Sequence, residues 1–223
     1  MLHRLLMGRR RAGLWRVRPV GLGSGYDRGT PVDRLYIERF LEQHAPDIRG
    51  VVLEVGDRDY TTRLGGGAVT SSEVLHAVPG NPAADLVADL ASGEGIPSDR
   101  YDCMILTDVL NTIFDLPAAV ANIHAALRPG GVALVTVPGL QPVYPADRDQ
   151  WGDYWRFEEQ ALARLFGDVF GNDAITVGSQ GNALVAAASI YGLAVEDMRP
   201  RHFAHNDPER PVTLTVRAVR AEA

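Results

Sequence analysis

Short runs of β-branched and aliphatic residues recur along the chain, each stopped by glycine, proline or a polar cluster and separated by stretches at helical spacing. Val51-Val52-Leu53-Glu54-Val55-Gly56 is the first such run. A run without polar alternation reads as a strand buried on both faces, which is what a parallel sheet covered by helices requires. Residues 73–78, 86–88, 103–107, 132–137, 175–177 and 212–219 supply further strands. Between them, Val32, Tyr36, Phe40 and Leu41 recur at helical spacing, as do Val120, Ile123 and Leu127 in a segment over 117–127. Residues 158–166 and 183–193 read as two more helices, with a loop after Pro138 and a turn at Arg128-Pro129-Gly130-Gly131. Thr30-Pro31-Val32-Asp33 opens the first helix: Thr30 as cap, Pro31 as first helical residue, Asp33 at the positive end of the dipole. Strands alternating with helices predict right-handed crossovers. The expected class is therefore α/β, a doubly wound, mostly parallel seven-stranded sheet with helices on both faces.

At 223 residues the chain is long enough for one full core. Residues 1–18 hold six arginines and no acid, and the first carboxylate is Asp27. The expected organisation is a basic flexible N-terminal tail over 1–25, ending in Gly21-Leu22-Gly23-Ser24-Gly25, then a single domain over 26–223. With 22% charged residues and a net charge of −6, nothing pulls the whole chain toward nucleic acid. No apolar run approaches the roughly 18 residues a membrane span needs, and the use of a single cysteine favours a cytoplasmic protein. All basic residues are arginine, which excludes Schiff-base and phosphate-loop lysine chemistry. The lone Cys103 excludes a disulfide within the chain and multi-cysteine metal sites, and it reads as a small buried hydrophobe. The string His202, His205, Asp207 has ligand-like spacing but lies between prolines, so a solvated loop is expected and no metal.

In an open doubly wound sheet, ligands bind beyond the carboxyl ends of the strands. That rule selects residues 54–59, 76–79, 89–90, 107–111 and 137–140. Three of these sets carry carboxylates and only Arg58 is basic. Such a pocket suits an amine, a sulfonium or ribose hydroxyls better than a pyrophosphate.

Val52-Leu53-Glu54-Val55-Gly56-Asp57 resembles the first motif of class I S-adenosylmethionine-dependent methyltransferases. Asp89-Leu90 resembles their acid beside the adenine, Tyr101-Asp102-Cys103-Met104-Ile105-Leu106-Thr107 their fourth strand, and Leu127-Arg128-Pro129-Gly130-Gly131-Val132 the turn into their fifth. Tyr26-Asp27-Arg28-Gly29-Thr30-Pro31 and Trp151-Gly152-Asp153-Tyr154-Trp155-Arg156-Phe157 resemble segments of bacterial methyltransferase-domain proteins of glycan or secondary-metabolite pathways. The resemblance implies S-adenosylmethionine as cofactor, held by Glu54, Val55, Gly56, Asp57, His76, Asp89, Leu90, Thr107 and Asp108. It implies methyl transfer to an oxygen or nitrogen of a small-molecule or glycan-related acceptor. Tyr26, Arg28, Trp151, Tyr154, Trp155 and Arg156 are the expected acceptor-site residues, placed opposite the adenine end. Asp153, His124 and Tyr26 are the candidate bases.

Two departures set the alternatives. The first loop reads Asp57-Arg58-Asp59-Tyr60 where the family carries more glycines, and no acid follows the second strand, where His76 stands. Side chains that fill the pocket would leave a binding or scaffold protein, or an enzyme running another reaction there. Side chains that turn away would leave the pocket open. Glu54, on an otherwise apolar strand, must be paired or hydrogen-bonded; the cofactor amine and a structural amide are its two candidate partners.

Overall fold

The computed structural model describes residues 17–222. Met1 to Arg16, the larger part of the expected basic tail, lie outside the described residues. Seven strands form one sheet: β1 Gly50–Val55, β2 Val69–His76, β3 Leu86–Val87, β4 Tyr101–Thr107, β5 Leu127–Pro138, β6 Ile175–Gln180 and β7 Thr213–Val219. Their order is β3-β2-β1-β4-β5-β7-β6. All neighbours pair parallel except β7, which runs antiparallel to both β5 and β6. The helices are α1 Val32–Gln43, α2 Leu116–Ala126, α3 Pro145–Gln150, α4 Glu159–Phe170 and α5 Ala183–Ile190. The expected class holds. Strand order reverses between β1 and β4, which opens a crevice at their carboxyl ends.

Alternate residues of the central strands feed the two sides of the sheet. Leu53, Met104 and Leu106 pack with Val120 and Ile123 of α2 and with Leu162, Phe166 and Phe170 of α4. Val52, Cys103 and Ile105 pack with Ile37 and Leu41 of α1. Each such side chain stabilises the fold by about 1.5–3 kcal/mol relative to exposure. Cys103 is fully buried, as expected, and burial pushes its thiol far above the ordinary range.

Three local expectations are corrected. Thr30 does not cap α1: its amide and hydroxyl donate to the Glu196 carboxylate, each at 2.9 Å. Its carbonyl accepts from Val195 N at 2.7 Å, and Pro31 takes the cap position with no side-chain cap. Tertiary pairing with the 194–196 segment wins over the local cap. Arg128-Pro129-Gly130-Gly131 is not a stop: it lies inside β5, where the register against β4 jumps between Tyr101 and Cys103. The loop after Pro138 contains the short helix α3.

The glycine run expected to be flexible is seated on the domain. The amides of Val20 and Gly21 donate to Tyr191 O at 2.8 and 3.1 Å. A Cβ on Gly21 would sit 2.1 Å from Gly192 O, so the two backbones approach as only glycine allows. At the far end, the Asn182 amide pins the carbonyls of His202 and His205. Among the described residues no His, Cys, Asp and Glu cluster could hold a metal, and no helix is long and apolar enough to cross a membrane.

Candidate active site

β1 ends where the sheet splits, and its last residues shape a cavity of about 530 Å³. Val55 and Gly56 form its floor; His76, Ala77 and Val78 follow from β2, and Ala88, Asp89, Leu90 and Ala91 from β3. Asp108 and Val109 after β4, then Thr112, Ile113 and Phe114, complete the inner wall, while Asp147, Trp151 and Tyr154 close the outside. The volume is in the range of small-molecule sites. Gly56 has φ +97°, and a Cβ there would meet nothing within 4 Å. It leaves a cradle in which a ligand can approach the backbone.

The chain achieves this opening despite its glycine-poor loop. Arg58 turns outward to Asp85 at 2.6 Å, Asp57 accepts from the Asp59 amide at 2.9 Å, and Tyr60 is buried under α1. None of residues 57–60 lines the cavity. What holds the loop is Glu54. Its carboxylate accepts from Tyr60 N at 3.1 Å, Thr61 N at 2.8 Å and Thr61 Oγ1 at 2.7 Å. Burial raises its pKa against those three bonds. Of the two partners open to Glu54, the structure gives it the amides; the side chain lines neither cavity.

A second cavity, of about 250 Å³, lies beside the first between α1 and the segment after β5. Tyr26, Asp33 and Arg34 line one side; Asn111, Tyr144, Asp153 and Arg156 line the other. Asp108 and Asp147 border both cavities.

A methyltransferase-domain family model matches residues 49–171, more than half of the chain. The chain belongs to the methyltransferase-domain family. It is an S-adenosylmethionine-dependent methyltransferase, and S-adenosylmethionine is its cofactor. Among solved structures, a SAM-dependent methyltransferase from Archaeoglobus fulgidus is 11% identical with a TM-score of 0.55, over 84% of this chain and 94% of that one. The N-methyltransferase NodS from Bradyrhizobium japonicum, in complex with S-adenosylhomocysteine, is 14% identical with a TM-score of 0.54, over 91% and 94%. The [4+2]-cyclase SpnF is 15% identical with a TM-score of 0.54, over 93% and 88%. These likenesses show a shared fold. Comparison with curated proteins finds no match.

The open cradle at Gly56 and the volume of the larger cavity fit this cofactor. Of the residues expected to hold it, Val55, Gly56, His76, Asp89, Leu90 and Asp108 line that cavity; Glu54, Asp57 and Thr107 do not. Asp57 is exposed and turned to its own loop. The absent acid after β2 is not replaced by a second carboxylate: His76 keeps Nδ1 on Val78 O and meets the Trp151 ring edge-on at 5.1 Å.

The expected acceptor set divides. Tyr26 and Arg156 line the small cavity. Trp151 and Tyr154 line the cofactor cavity instead: Trp151 meets His76 at the end of β2, and Tyr154 meets Phe114 beyond β4. Arg28 lines neither; it pairs with Asp197, Nη2 to Oδ1 at 2.5 Å. Trp155 lines neither; its indole N–H donates to Ile113 O at 2.9 Å and its ring packs on Phe114.

The candidate bases divide too. His124 sits on α2 against Phe170, away from both cavities, and burial then Arg220 lower its pKa. Burial alone would raise Asp153, yet Arg156 and Asn111 hold it below the usual carboxylate range. Arg156 grips it bidentately at 2.7 and 2.8 Å, so it is a structural hub and a poor base. The Tyr26 phenol accepts from Arg34 Nε at 3.1 Å; burial raises its pKa and outweighs that guanidinium.

Asp108 is the group that sequence reasoning undervalued. It holds φ +52°, unusual for a non-glycine residue, and its buried Oδ1 has no hydrogen-bond partner. Burial first, then the Asp33 carboxylate, push its pKa up to about 7. Asp33 is raised by burial, and Asp147 by burial and by Asp153. Burial opposes the charge of Arg34, but Tyr26, Asp108 and Tyr60 hold it ionised. Asp33, Arg34, Asn111 and Asp147 went unassigned from sequence. The one signal was the pair of adjacent charges, Asp33 and Arg34, on the first turn of α1.

Proposed function

We propose that this methyltransferase acts on an oxygen or nitrogen of a small polar acceptor, of glycan-related or similar size, bound in the 250 Å³ cavity. The observation that carries the reading is the shared wall: Asp108 and Asp147 border both the cofactor cavity and the smaller one. Val55, Gly56, His76, Asp89 and Leu90 hold the cofactor, Tyr26 and Arg34 orient the acceptor, and Arg156 braces Asp153 in the cavity wall. Bound S-adenosylmethionine supplies a methyl group already activated by the sulfonium charge. The protein's contribution is alignment of the two cavities, exclusion of water, and a proton acceptor at the boundary. Asp108 fills that last role better than the three candidates read from sequence, having an unpartnered buried oxygen and a pKa near neutrality. Residues 57–60 line neither cavity, which favours this reading over a binding-only protein. NodS, an N-methyltransferase, and SpnF, a [4+2]-cyclase, mark two outcomes this fold supports, and product analysis separates them.

Calorimetric titration with S-adenosylhomocysteine tests the cofactor half. The wild type is expected to bind it. Gly56→Ala, which places a methyl in the cradle, is expected to weaken binding by about tenfold or more. A wild type that takes up no heat at saturating ligand would end the proposal.

A further inference from the structure

Four carboxylates and two guanidiniums line the smaller cavity: Asp33, Asp108, Asp147 and Asp153 against Arg34 and Arg156. Arg156 is committed to Asp153. Three carboxylates are left with Arg34, which donates to the phenols of Tyr26 and Tyr60. All three are shifted upward, by burial first; Asp33 and Asp147 add to the shift of Asp108, and Asp153 adds to that of Asp147. The cavity is one positive charge or more short of balance.

A second observation is independent of charge. Asn111 is 5% exposed and its Oδ1 has no hydrogen-bond partner. Its Nδ2 is spent on Asp153 Oδ1 at 3.1 Å, which leaves the carbonyl as the free end. Asp108 Oδ1 is likewise buried and unpartnered. Each such acceptor destabilises the fold until a donor reaches it. The ligand that completes this cavity therefore brings donors and positive charge together. An ammonium carries three donors on one cation. A hydroxyl brings one donor and no charge; a phosphate or carboxylate ligand brings charge of the wrong sign. A divalent ion lacks its ligand set, since no metal-holding cluster exists among the described residues.

We infer, building on the methyl-transfer reading above, that the acceptor is an amine, with Asp33, Asp108 and Asp147 holding its ammonium form and Asp108 taking its proton. The ammonium gives one proton to the Asp108 carboxylate. The freed nitrogen lone pair attacks the sulfonium methyl; the N–C bond forms as the C–S bond breaks, and that bonding pair returns to sulfur. The products are a secondary or tertiary ammonium and neutral S-adenosylhomocysteine, so the positive charge passes from sulfur to nitrogen and is conserved.

The test uses the full chain saturated with S-adenosylhomocysteine and titrated with matched probes: glucosamine against glucose, and ethanolamine against ethylene glycol. Each amine is expected to bind at least about tenfold more tightly than its hydroxyl partner. Asp33→Asn removes a carboxylate that borders only the smaller cavity. It is expected to shrink that ratio toward one while cofactor-product affinity stays within about twofold. If Asp33→Asn does not fold, Asp147→Asn on the short α3 is read by the amine-to-hydroxyl ratio alone, which is expected to shrink toward one, since Asp147 also borders the cofactor cavity. Equal affinities within both pairs, or no binding by either amine, would overturn the amine assignment with the methyltransferase reading intact. Failure of S-adenosylhomocysteine itself to bind would bring down both.

Discussion

At the residue scale, two acids near the ends of neighbouring strands have opposite fates. Glu54 has three donors; Asp108 Oδ1 has none. Glu54→Gln leaves one amide oxygen for three donors and turns an NH2 toward a backbone N–H. A stability loss of about 2–3 kcal/mol is expected in urea unfolding, with the thermal gain from S-adenosylhomocysteine retained. Asp108 predicts the reverse. Asp33, Arg34, Asp147 and Arg156 face it, and its folded pKa of about 7 lies above the unfolded value of about 4. Folding then takes up a proton between those values, and stability declines as pH rises through that window. Asp108→Asn keeps a residue type that tolerates the left-handed backbone. Above pH 7 it is expected to be more stable than wild type by on the order of 1–3 kcal/mol, with the gap closing toward pH 4. A constant gap across that range would show that the carboxyl does not titrate there. That Glu54 must be bonded was legible in the sequence. Its partners were not, because Tyr60 and Thr61 reach it only after the loop folds back. Asp33 read as a dipole-compensating charge for the same reason: the cavity it borders is assembled from segments more than a hundred residues apart.

At the element scale, β1 and β4, six and seven residues long with largely apolar centres, were legible because burial on both faces leaves no other pattern, whereas the first half of β2, Val69-Thr70-Ser71-Ser72, is mostly polar and was not. The short α3 was not, since six residues with none buried leave no periodic face. The docking of residues 20–25 was hidden too, because glycines that allow close packing look like glycines that allow flexibility. Gly21→Ala tests that docking. Its methyl would collide with Gly192 O, so the segment should lift from the domain. Ser24 and Tyr26 border only the smaller cavity. The expected outcome is a raised acceptor KM, unchanged S-adenosylhomocysteine affinity, and a melting loss equivalent to about 1 kcal/mol. Weakened cofactor binding would place this segment in the other site.

At the scale of the whole molecule, one rigid sheet carries two sites, and one marginal segment spans them. The strands are cross-braced by core on both faces. The segment from Tyr144 to Trp151 has no such core: α3 has no side-chain cap and no buried residue. It is tethered through Asp153, which accepts from Tyr144 N and Asn111 Nδ2 and is gripped by Arg156. Yet this segment gives Asp147 to both cavities, Tyr144 to the smaller and Trp151 to the larger. A ligand in the larger cavity packs against Trp151 and so adds the apolar contact that α3 lacks. Local opening free energies of such a segment start near zero, well below that of the sheet. Any contact made only in the closed form shifts the equilibrium by its differential affinity. S-adenosylhomocysteine is therefore expected to slow hydrogen exchange at residues 144–151 by tenfold or more, on the order of 1.4 kcal/mol, while amides of β4 and β5 change little beyond global stabilisation. Because the coupling is reciprocal, occupancy of the smaller cavity should tighten cofactor-product binding by a similar factor. Uniform protection across the sheet and this segment alike would show that the two sites are joined by global stability alone, and not through α3.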